Sequence, residues 1–286
     1  MNDIVVSAIQ MPITANKEEN LAKAEKLLNK AVTKGVHLAC LPEYFLWDCP
    51  EEGMSDQEVR MTAEPIPGPT TDFLGGIAKE GNLYICTGSY LEITEDGTLQ
   101  NTSALIGPDG RVIGKYSKTH PENALPKYET GVGVKPGDDY PVFDTEIGKI
   151  GIIIDMDATT AEAPRIEYIK GAEIILWPLN WSTRWISPIE VLPPAHCIMN
   201  KVYMVTANRV GLRTSRHGTF LYNGGSKVTN PEGFNVARAD DFYESVTVTD
   251  LQMSILREWR QTVIPRDYPY RRRPETYAAI SEPWNV

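Results

Sequence analysis

The chain has 286 residues, 42% of them hydrophobic and 23% charged, a composition that fits a globular protein and excludes disorder, collagen and coiled coil. Its length sets a prior of one or two domains and suffices for a full core without a metal or disulfide staple. The formal charge of −10, from 28 basic and 38 acidic residues, argues against nucleic acid or an anionic membrane surface as the main partner, because either favours a cationic face. No run approaches the roughly 18 apolar residues of a membrane helix.

Apolar runs bounded by turn residues alternate with helical patterns, the signature of an α/β fold. Ile4 to Gln10 reads as a buried strand. Lys17 to Lys34 reads as a helix, with Leu21, Ala24, Leu27, Leu28 and Ala31 at helical spacing and Gly35 as its stop. A second strand over Val36 to Leu41 ends at Pro42-Glu43. A helix is expected around Thr71 to Lys79, then a strand over Leu83 to Tyr90. Thr102 to Ile106 and Arg111 to Tyr116 flank Gly-Pro-Asp-Gly, a hairpin turn. His120 to Tyr140 carries no obvious element, and a loop that long inside a compact domain usually lines a site. Lys149 to Ile154 is a strongly apolar strand, followed by a helix near Glu162 to Lys170 and a strand over Glu173 to Trp177. A helix over about Pro188 to Asn200 and a strand over Val202 to Ala207 come next. Asn230-Pro-Glu-Gly233 joins Gly225 to Thr229 with Phe234 to Ala237, and Tyr243 to Val248 closes the series. On this order the second half repeats the first, which predicts two sheets covered by helices.

Cys40, Cys49, Cys86 and Cys197 form no C-x-x-C pair, disulfide framework or zinc knuckle. The opening Met-Asn-Asp-Ile-Val-Val lacks the basic and long apolar regions of a signal peptide, so a reduced, cytoplasmic setting is expected. Histidines 37, 120, 196 and 217 make no i,i+4 metal pair, and no phosphate-cradling Gly-rich loop occurs. No metal and no cofactor are therefore expected. Arg257, Arg260, Arg266, Arg271, Arg272 and Arg273 crowd the C-terminal region. Ion pairs within the fold or across a subunit contact account for them most simply.

Three features stand at the ends of expected strands. Glu43 lies in Leu-Pro-Glu-Tyr-Phe45, Lys118 and His120 in Gly-Lys-Tyr-Ser-Lys-Thr-His120, and Asp155 and Asp157 directly after Gly151-Ile-Ile-Ile154. Ligands of α/β sheets collect outside the carboxyl ends of the strands, so these groups are candidates to converge; solvated loop charges are the plainer alternative.

The same segments carry a resemblance. Gln10 on the opening strand, Leu-Pro-Glu43, Gly-Lys-Tyr-x-Lys118-Thr-His, Glu129 before Pro136-Gly137, Lys-Ile-Gly-Ile-Ile-Ile, Gly171-Ala-Glu-Ile, Ala207-Asn-Arg209-Val-Gly and the stretch from Tyr268 to Tyr277 resemble the nitrilase superfamily of carbon–nitrogen hydrolases. Within it they look most like the N-carbamoyl-amine amidohydrolase branch. The resemblance covers over nine tenths of the chain. It implies one domain over 1–286 folded as a four-layer αββα sandwich and a homodimer or larger homo-oligomer, with the segment from about 257 to 286 an extension on a partner subunit. It also implies a small-molecule substrate, with neither nucleic acid nor membrane as partner.

In that family a glutamate serves as general base, a lysine stabilises the tetrahedral intermediate and a cysteine is the nucleophile. Glu43 and Lys118 match the first two positions, and Glu129 matches a second, orienting glutamate. Asp155 stands where the cysteine is expected, since this chain reads Ile154-Asp155-Met156-Asp157. A thiolate attacks an amide to give a thioester that water resolves, whereas a carboxylate is a far poorer nucleophile and would have to form an anhydride. Three readings stay open. The site acts on a C–N bond or related electrophile by acid–base chemistry, with Asp155 and Glu43 as the pair and Lys118 offsetting developing negative charge; or the chain is a non-catalytic binding homologue; or the aspartate silences an amidase. Two neighbouring carboxyls resist joint ionisation, so one pKa should rise. Cys49 and Cys197 are poor candidates for a relocated nucleophile, since neither matches the motif.

In the D-amino-acid carbamoylases two arginines after the Cys-x-Asp hold a substrate carboxylate; here Ala158 and Thr159 stand there, against such a clamp. Trp177-Pro-Leu-Asn180-Trp181-Ser-Thr-Arg184-Trp185 sets three indoles and an arginine beside a strand end. Asn180, Trp181 and Arg184, with Tyr44, are the expected substrate-binding residues, an aromatic wall for an apolar or cationic group, with core or interface packing as the alternative. Glu162, Arg165 and His196 are expected to be supporting.

Overall fold

The structure, a computed structural model, describes residues 3–123, 128–262 and 272–282. In chain order the elements are β1 (Ile4–Pro12), α1 (Lys17–Thr33), β2 (Leu38–Cys40), α2 (Asp56–Arg60), α3 (Pro69–Gly81), β3 (Tyr84–Cys86), β4 (Tyr90–Ile93), β5 (Leu99–Ile106) and β6 (Val112–Ser117). There follow β7 (Val142–Thr145), β8 (Gly148–Ile152), α4 (Glu162–Ile169), β9 (Ile174–Pro178), α5 (Ile186–Asn200), β10 (Tyr203–Ala207), β11 (Arg209–Ser215) and β12 (Gly218–Asn223). The series ends with β13 (Lys227–Thr229), β14 (Asn235–Arg238), β15 (Ser245–Leu251) and α6 (Met253–Thr262).

Strand alternation builds the layers. Ile4, Val6 and Ala8 of β1 point into a core shared with Ile150, Ile152, Ile174, Leu176 and Val205 of the other sheet. Ile9 and Met11, of opposite parity, pack instead against Ala24, Leu27, Leu28 and Ala31 of α1 and Leu74 and Ala78 of α3. On the far side Ile153, Ile175, Trp177 and Met204 meet Ala163 of α4 and Ile189 and Cys197 of α5. Helices therefore cover both outer faces and the two sheets share the middle: the expected αββα sandwich.

The nine-stranded sheet runs β12-β11-β1-β2-β3-β5-β4, with β15 also on β1 and β6 also on β5; the six-stranded sheet runs β14-β13-β10-β9-β8-β7. This corrects the expectation that the second half repeats the first as a separate sheet. β11, β12 and β15 return to the first sheet, and β15 pairs antiparallel with β1 from Ile4↔Leu251 to Gln10↔Ser245. A central strand such as β1 needs partners on both edges to satisfy its backbone, and distant chain supplies one of them.

The expected strand over Leu83 to Tyr90 is two strands broken at Gly88, whose φ is +65°. A Cβ there would sit 2.0 Å from the Pro42 carbonyl oxygen, so only glycine lets this turn press against the loop that carries Glu43. The hairpin β11–β12, and α2, β7 and α6, were not expected from the pattern. Arg257 grips Glu173 with two bonds of 2.7 and 2.8 Å, and Arg260 donates to the Ala172 and Lys201 carbonyls. Those two arginines thus serve the fold; Arg266 and Arg271 lie outside the described residues, as do Tyr268 and much of the expected 257–286 extension.

Candidate active site

Three loops leaving strand ends meet at one point. Glu43 follows β2, Lys118 follows β6, Asp155 follows β8, and Glu129 sits in the irregular passage from 120 to 140. All four are buried, and the Lys118 ammonium joins the three acids. Its Nζ lies 3.0 Å from Glu43 Oε1, 2.8 Å from Glu129 Oε2 and 2.7 Å from Asp155 Oδ2. A lysine has three N–H donors, and here each has a carboxylate.

The acids are not equivalent. Glu129 accepts from Lys118, from the Tyr44 hydroxyl at 2.7 Å, from Asn101 Nδ2 at 2.7 Å and from the Glu122 backbone N–H at 2.6 Å. Glu43 receives both its bonds, from Lys118 and from Asn101 Nδ2 at 2.8 Å, on Oε1. Asp155 receives Lys118 on Oδ2. Among the described residues no protein group bonds Glu43 Oε2 or Asp155 Oδ1, so each of these two acids keeps an oxygen for a ligand.

Burial and crowding set their protonation. Loss of water, then the neighbouring Asp155 charge, pushes the Glu43 carboxyl well above its ordinary value, against the pull of Lys118. Burial also raises Asp155, with Lys118 opposing and Glu129 reinforcing. Lys118 is held well above its usual range because the three carboxylates outweigh the cost of burying its charge.

Backbone strain accompanies this chemistry. Asp155 has φ +48° and Tyr44, next to Glu43, φ +52°, left-handed values that non-glycine residues adopt at a cost. The Trp177 indole N–H donates to the Asp155 carbonyl at 3.0 Å and helps fix that turn. Asp157, fully buried, ties the turn to the end of β6. Its Oδ2 accepts from the Tyr116 hydroxyl at 2.6 Å and the Ile154 N–H at 2.8 Å; its Oδ1 accepts from the Thr119 hydroxyl and the His120 N–H, both at 3.0 Å, and lies 2.8 Å from His120 Nδ1. Asp157 and His120 therefore align Lys118 with Asp155.

The cluster forms part of the wall of a cavity of about 490 Å³. Asn180, Trp181, Arg184 and Tyr44 all line it, as expected, although the Tyr44 hydroxyl is already engaged by Glu129. Trp181 sits between Trp177, which meets it edge to face, and Trp185, tilted by 30°, with centroids 5.1 and 5.2 Å away. Its backbone exchanges two bonds with the Asn208 side chain, 3.0 and 2.9 Å. Arg184 sits over the Phe220 ring at 5.2 Å. Trp177 is core instead, fully buried.

Sequence reading missed the other wall. Tyr128, Arg213, Phe220 and Tyr222 line the cavity, the last three from the β11–β12 hairpin. In that register Arg213 opposes Phe220 and Gly211 opposes Tyr222, so all three side chains share one face while Leu212 and Leu221 are exposed on the other. Alternation over Arg209 to Ser215 was the available signal. Asn101, bridging Glu43 and Glu129, was also missed; it sits in the polar run Gln100-Asn-Thr-Ser103 of β5, where no local pattern sets it apart. Cys49 lines the cavity, with its thiol pushed well up by burial, whereas Cys197 is enclosed in α5 away from it. Ala158 is buried core, neither it nor Thr159 lines the cavity, and His196 and Arg165 bond the Ala158 and Met199 carbonyls at 2.8 and 3.0 Å as supports.

Comparison with known proteins places this arrangement. The chain is 31% identical to omega-amidase NIT2-B of Xenopus laevis, with 98% of each chain covered. It is 30% identical to omega-amidase NIT2 of Homo sapiens over 92% of this chain and 94% of that one. A nitrilase of Pyrococcus abyssi is 33% identical over 90% and 93%. These relatives are not N-carbamoyl-amine amidohydrolases, which corrects the branch expected from the motifs. Among solved structures, a carbon–nitrogen hydrolase from Helicobacter pylori superimposes with a TM-score of 0.87 at 22% identity, covering 99% of both chains. An amidase from Nesterenkonia sp. gives 0.78 at 20% identity, covering 98% and 97%. The carbon–nitrogen hydrolase family model matches residues 5–261. A match that runs from the first strand into the last helix takes in the whole α/β frame and every residue of the buried cluster, and the chain belongs to the carbon–nitrogen hydrolase family.

Proposed function

We propose that this protein cleaves a C–N bond of a small molecule by acid–base chemistry, with Glu43, Lys118 and Asp155 as its centre and no covalent thioester. One observation carries the reading: the carboxyl at the family's nucleophile position is ion-paired to Lys118 while its second oxygen is left for a ligand at the cavity wall. A carboxylate so placed suits proton transfer far better than attack on an amide carbon.

The roles follow from the environments. Asp155, with the shortest contact to Lys118 and the greatest exposure of the four, at 6%, takes a proton from water as that water adds to the substrate carbon. Glu43, at 2% exposure and with its carboxyl pushed well up by burial, gives its proton to the departing nitrogen. Lys118 keeps the two carboxyls at one centre and offsets negative charge. Glu129, with its four donors, fixes Lys118 and Tyr44. Asn180, Trp181 and Arg184 hold the rest of the substrate.

The test is product release from a panel of amides, carbamoyl amines, nitriles and amidines, comparing the protein with Asp155→Cys and Glu43→Gln. Turnover by the unaltered chain, lost in Glu43→Gln, supports the reading. Turnover by Asp155→Cys alone overturns it, and leaves this chain a silenced or binding form; retention of a ligand without conversion points to the binding form.

A further inference from the structure

The charge left at the buried end of the cavity is unbalanced. Among the described residues no protein group bonds Asp155 Oδ1 or Glu43 Oε2, and Asn180 Oδ1, buried at the wall, has no partner. With Glu43 protonated, its Oε2 carries the proton and Asp155 Oδ1 is the charged acceptor; the Trp181 Nε1–H, on a residue only 3% exposed, and the Asn180 amide N–H are the other side-chain donors there. Lys118 offers nothing more, because its three N–H groups face Glu43, Glu129 and Asp155. Even with Glu43 protonated, two carboxylates, Glu129 and Asp155, face the one ammonium at this point.

A neutral amide fits that balance poorly. Water added to its carbonyl carbon leaves an oxyanion that needs donors, yet the ammonium beside it is fully engaged. An amidinium group fits in both respects. It is a planar cation with four N–H donors and no acceptor, and water added to its carbon produces no oxyanion. The arginines of the wall do not cancel the negative end: Arg213 is ion-paired with Asp48 at 3.7 Å and Glu51 at 3.3 Å, and Arg184 is exposed, over Phe220. Trp181, Trp185, Phe220 and Tyr222 give an aromatic wall for an apolar substituent and favour a cation near their faces.

We infer that the substrate's reacting group is cationic, an amidinium or guanidinium paired with Asp155 Oδ1 and set beside the protonated Glu43 carboxyl; this rests on the acid–base reading of the same site. Water adds to the carbon as Asp155 takes one of its protons, giving a neutral diamino alcohol. Glu43 protonates one amino group, the C–N bond breaks and ammonia leaves. The protonated amide returns a proton to Glu43, and ammonia takes the one on Asp155. In sum, an amidinium and water become an amide and ammonium, with nothing oxidised or reduced.

The experiment pairs benzamidine with benzamide and phenylguanidine with phenylurea, following ammonia or amine release and, by calorimetry, binding. The expected result is a kcat/KM for the cationic member at least tenfold above its neutral partner. Asp155→Asn should weaken cation binding at least tenfold while leaving benzamide binding within about twofold. Preference for the neutral members overturns this inference and leaves the acid–base reading standing. Turnover of no member of either pair, with equal binding of cation and neutral partner, overturns the inference; if the wider panel is also untouched, the acid–base reading falls with it.

Discussion

Asp155 and Glu43 share one ammonium but face opposite demands. In the proposed reaction Glu43 must be protonated and Asp155 ionised; the Glu43 pKa is raised well above the usual value, so its contribution is lost as pH rises through that raised pKa. The Asp155 pKa is also raised from 3.8, so its contribution is lost as pH falls through it. The rate should therefore fall on both sides of a maximum, with the acid limb above 3.8; a pH–rate profile whose acid limb lies at the ordinary aspartate value would count against these roles. Glu43→Gln keeps the shape and removes the acid, and should lower kcat by about 10²–10⁴ with the fold intact by circular dichroism. Lys118→Met leaves three buried carboxylates with no cation. A loss of about 3–5 kcal/mol, the cost of breaking a buried ion pair, is expected in urea unfolding.

At the scale of elements, the site depends on turns that fix strand ends. Gly88→Ala would place a methyl 2.0 Å from the Pro42 carbonyl oxygen at φ +65°. Pro42 must move, and Glu43 with it. Destabilisation of about 1–3 kcal/mol should come with a fall in kcat, both readable on one purified variant by thermal melting and single-turnover kinetics. Asp157 joins the β6 end to the Asp155 turn from a fully buried position. Asp157→Asn replaces acceptor oxygens with a donor facing the Ile154 or His120 N–H, at about 1–3 kcal/mol, and should cut activity while binding of a cavity ligand changes less.

For the molecule as a whole, buried acids outside the site shape the pH dependence of folding. Glu167 of α4 is fully buried against Gly151, and burial pushes its carboxyl well above 4.5. A folded-state pKa above the unfolded one gives stability that is present below the unfolded value and lost as pH rises toward the folded value. As pH rises above 4.5 this group should therefore weaken the fold, and Glu167→Gln should reduce that loss; an unchanged slope of unfolding free energy against pH would show that Glu167 is ionised in the fold. The nine-stranded sheet takes strands from both chain ends, so no fragment holding only the first half has its β15 or β11 partner.

Alternation and turn chemistry made the frame readable: the runs at Ile4, Val36, Lys149, Glu173 and Val202 and the helices at Lys17 and Pro188 each follow from a local period. Glu43, Lys118 and Asp155 each lie within a few residues of a recognisable strand end, whereas Glu129, in the irregular passage from 120 to 140, was singled out by the family resemblance alone. Local pattern did not reach the partnership of β15 with β1, the hairpin wall bearing Arg213, Phe220 and Tyr222, or Asn101 between two glutamates. Those depend on contacts across up to 247 residues, as from Ile4 to Leu251, and on which face of a strand meets the cavity. The sequence by itself singled out the candidate groups; the tertiary structure decided that Lys118 has no N–H to spare and that, among the described residues, no protein group bonds the second oxygen of Glu43 or Asp155, since hydrogen-bond occupancy is a property of neighbours in space and not of order in the chain.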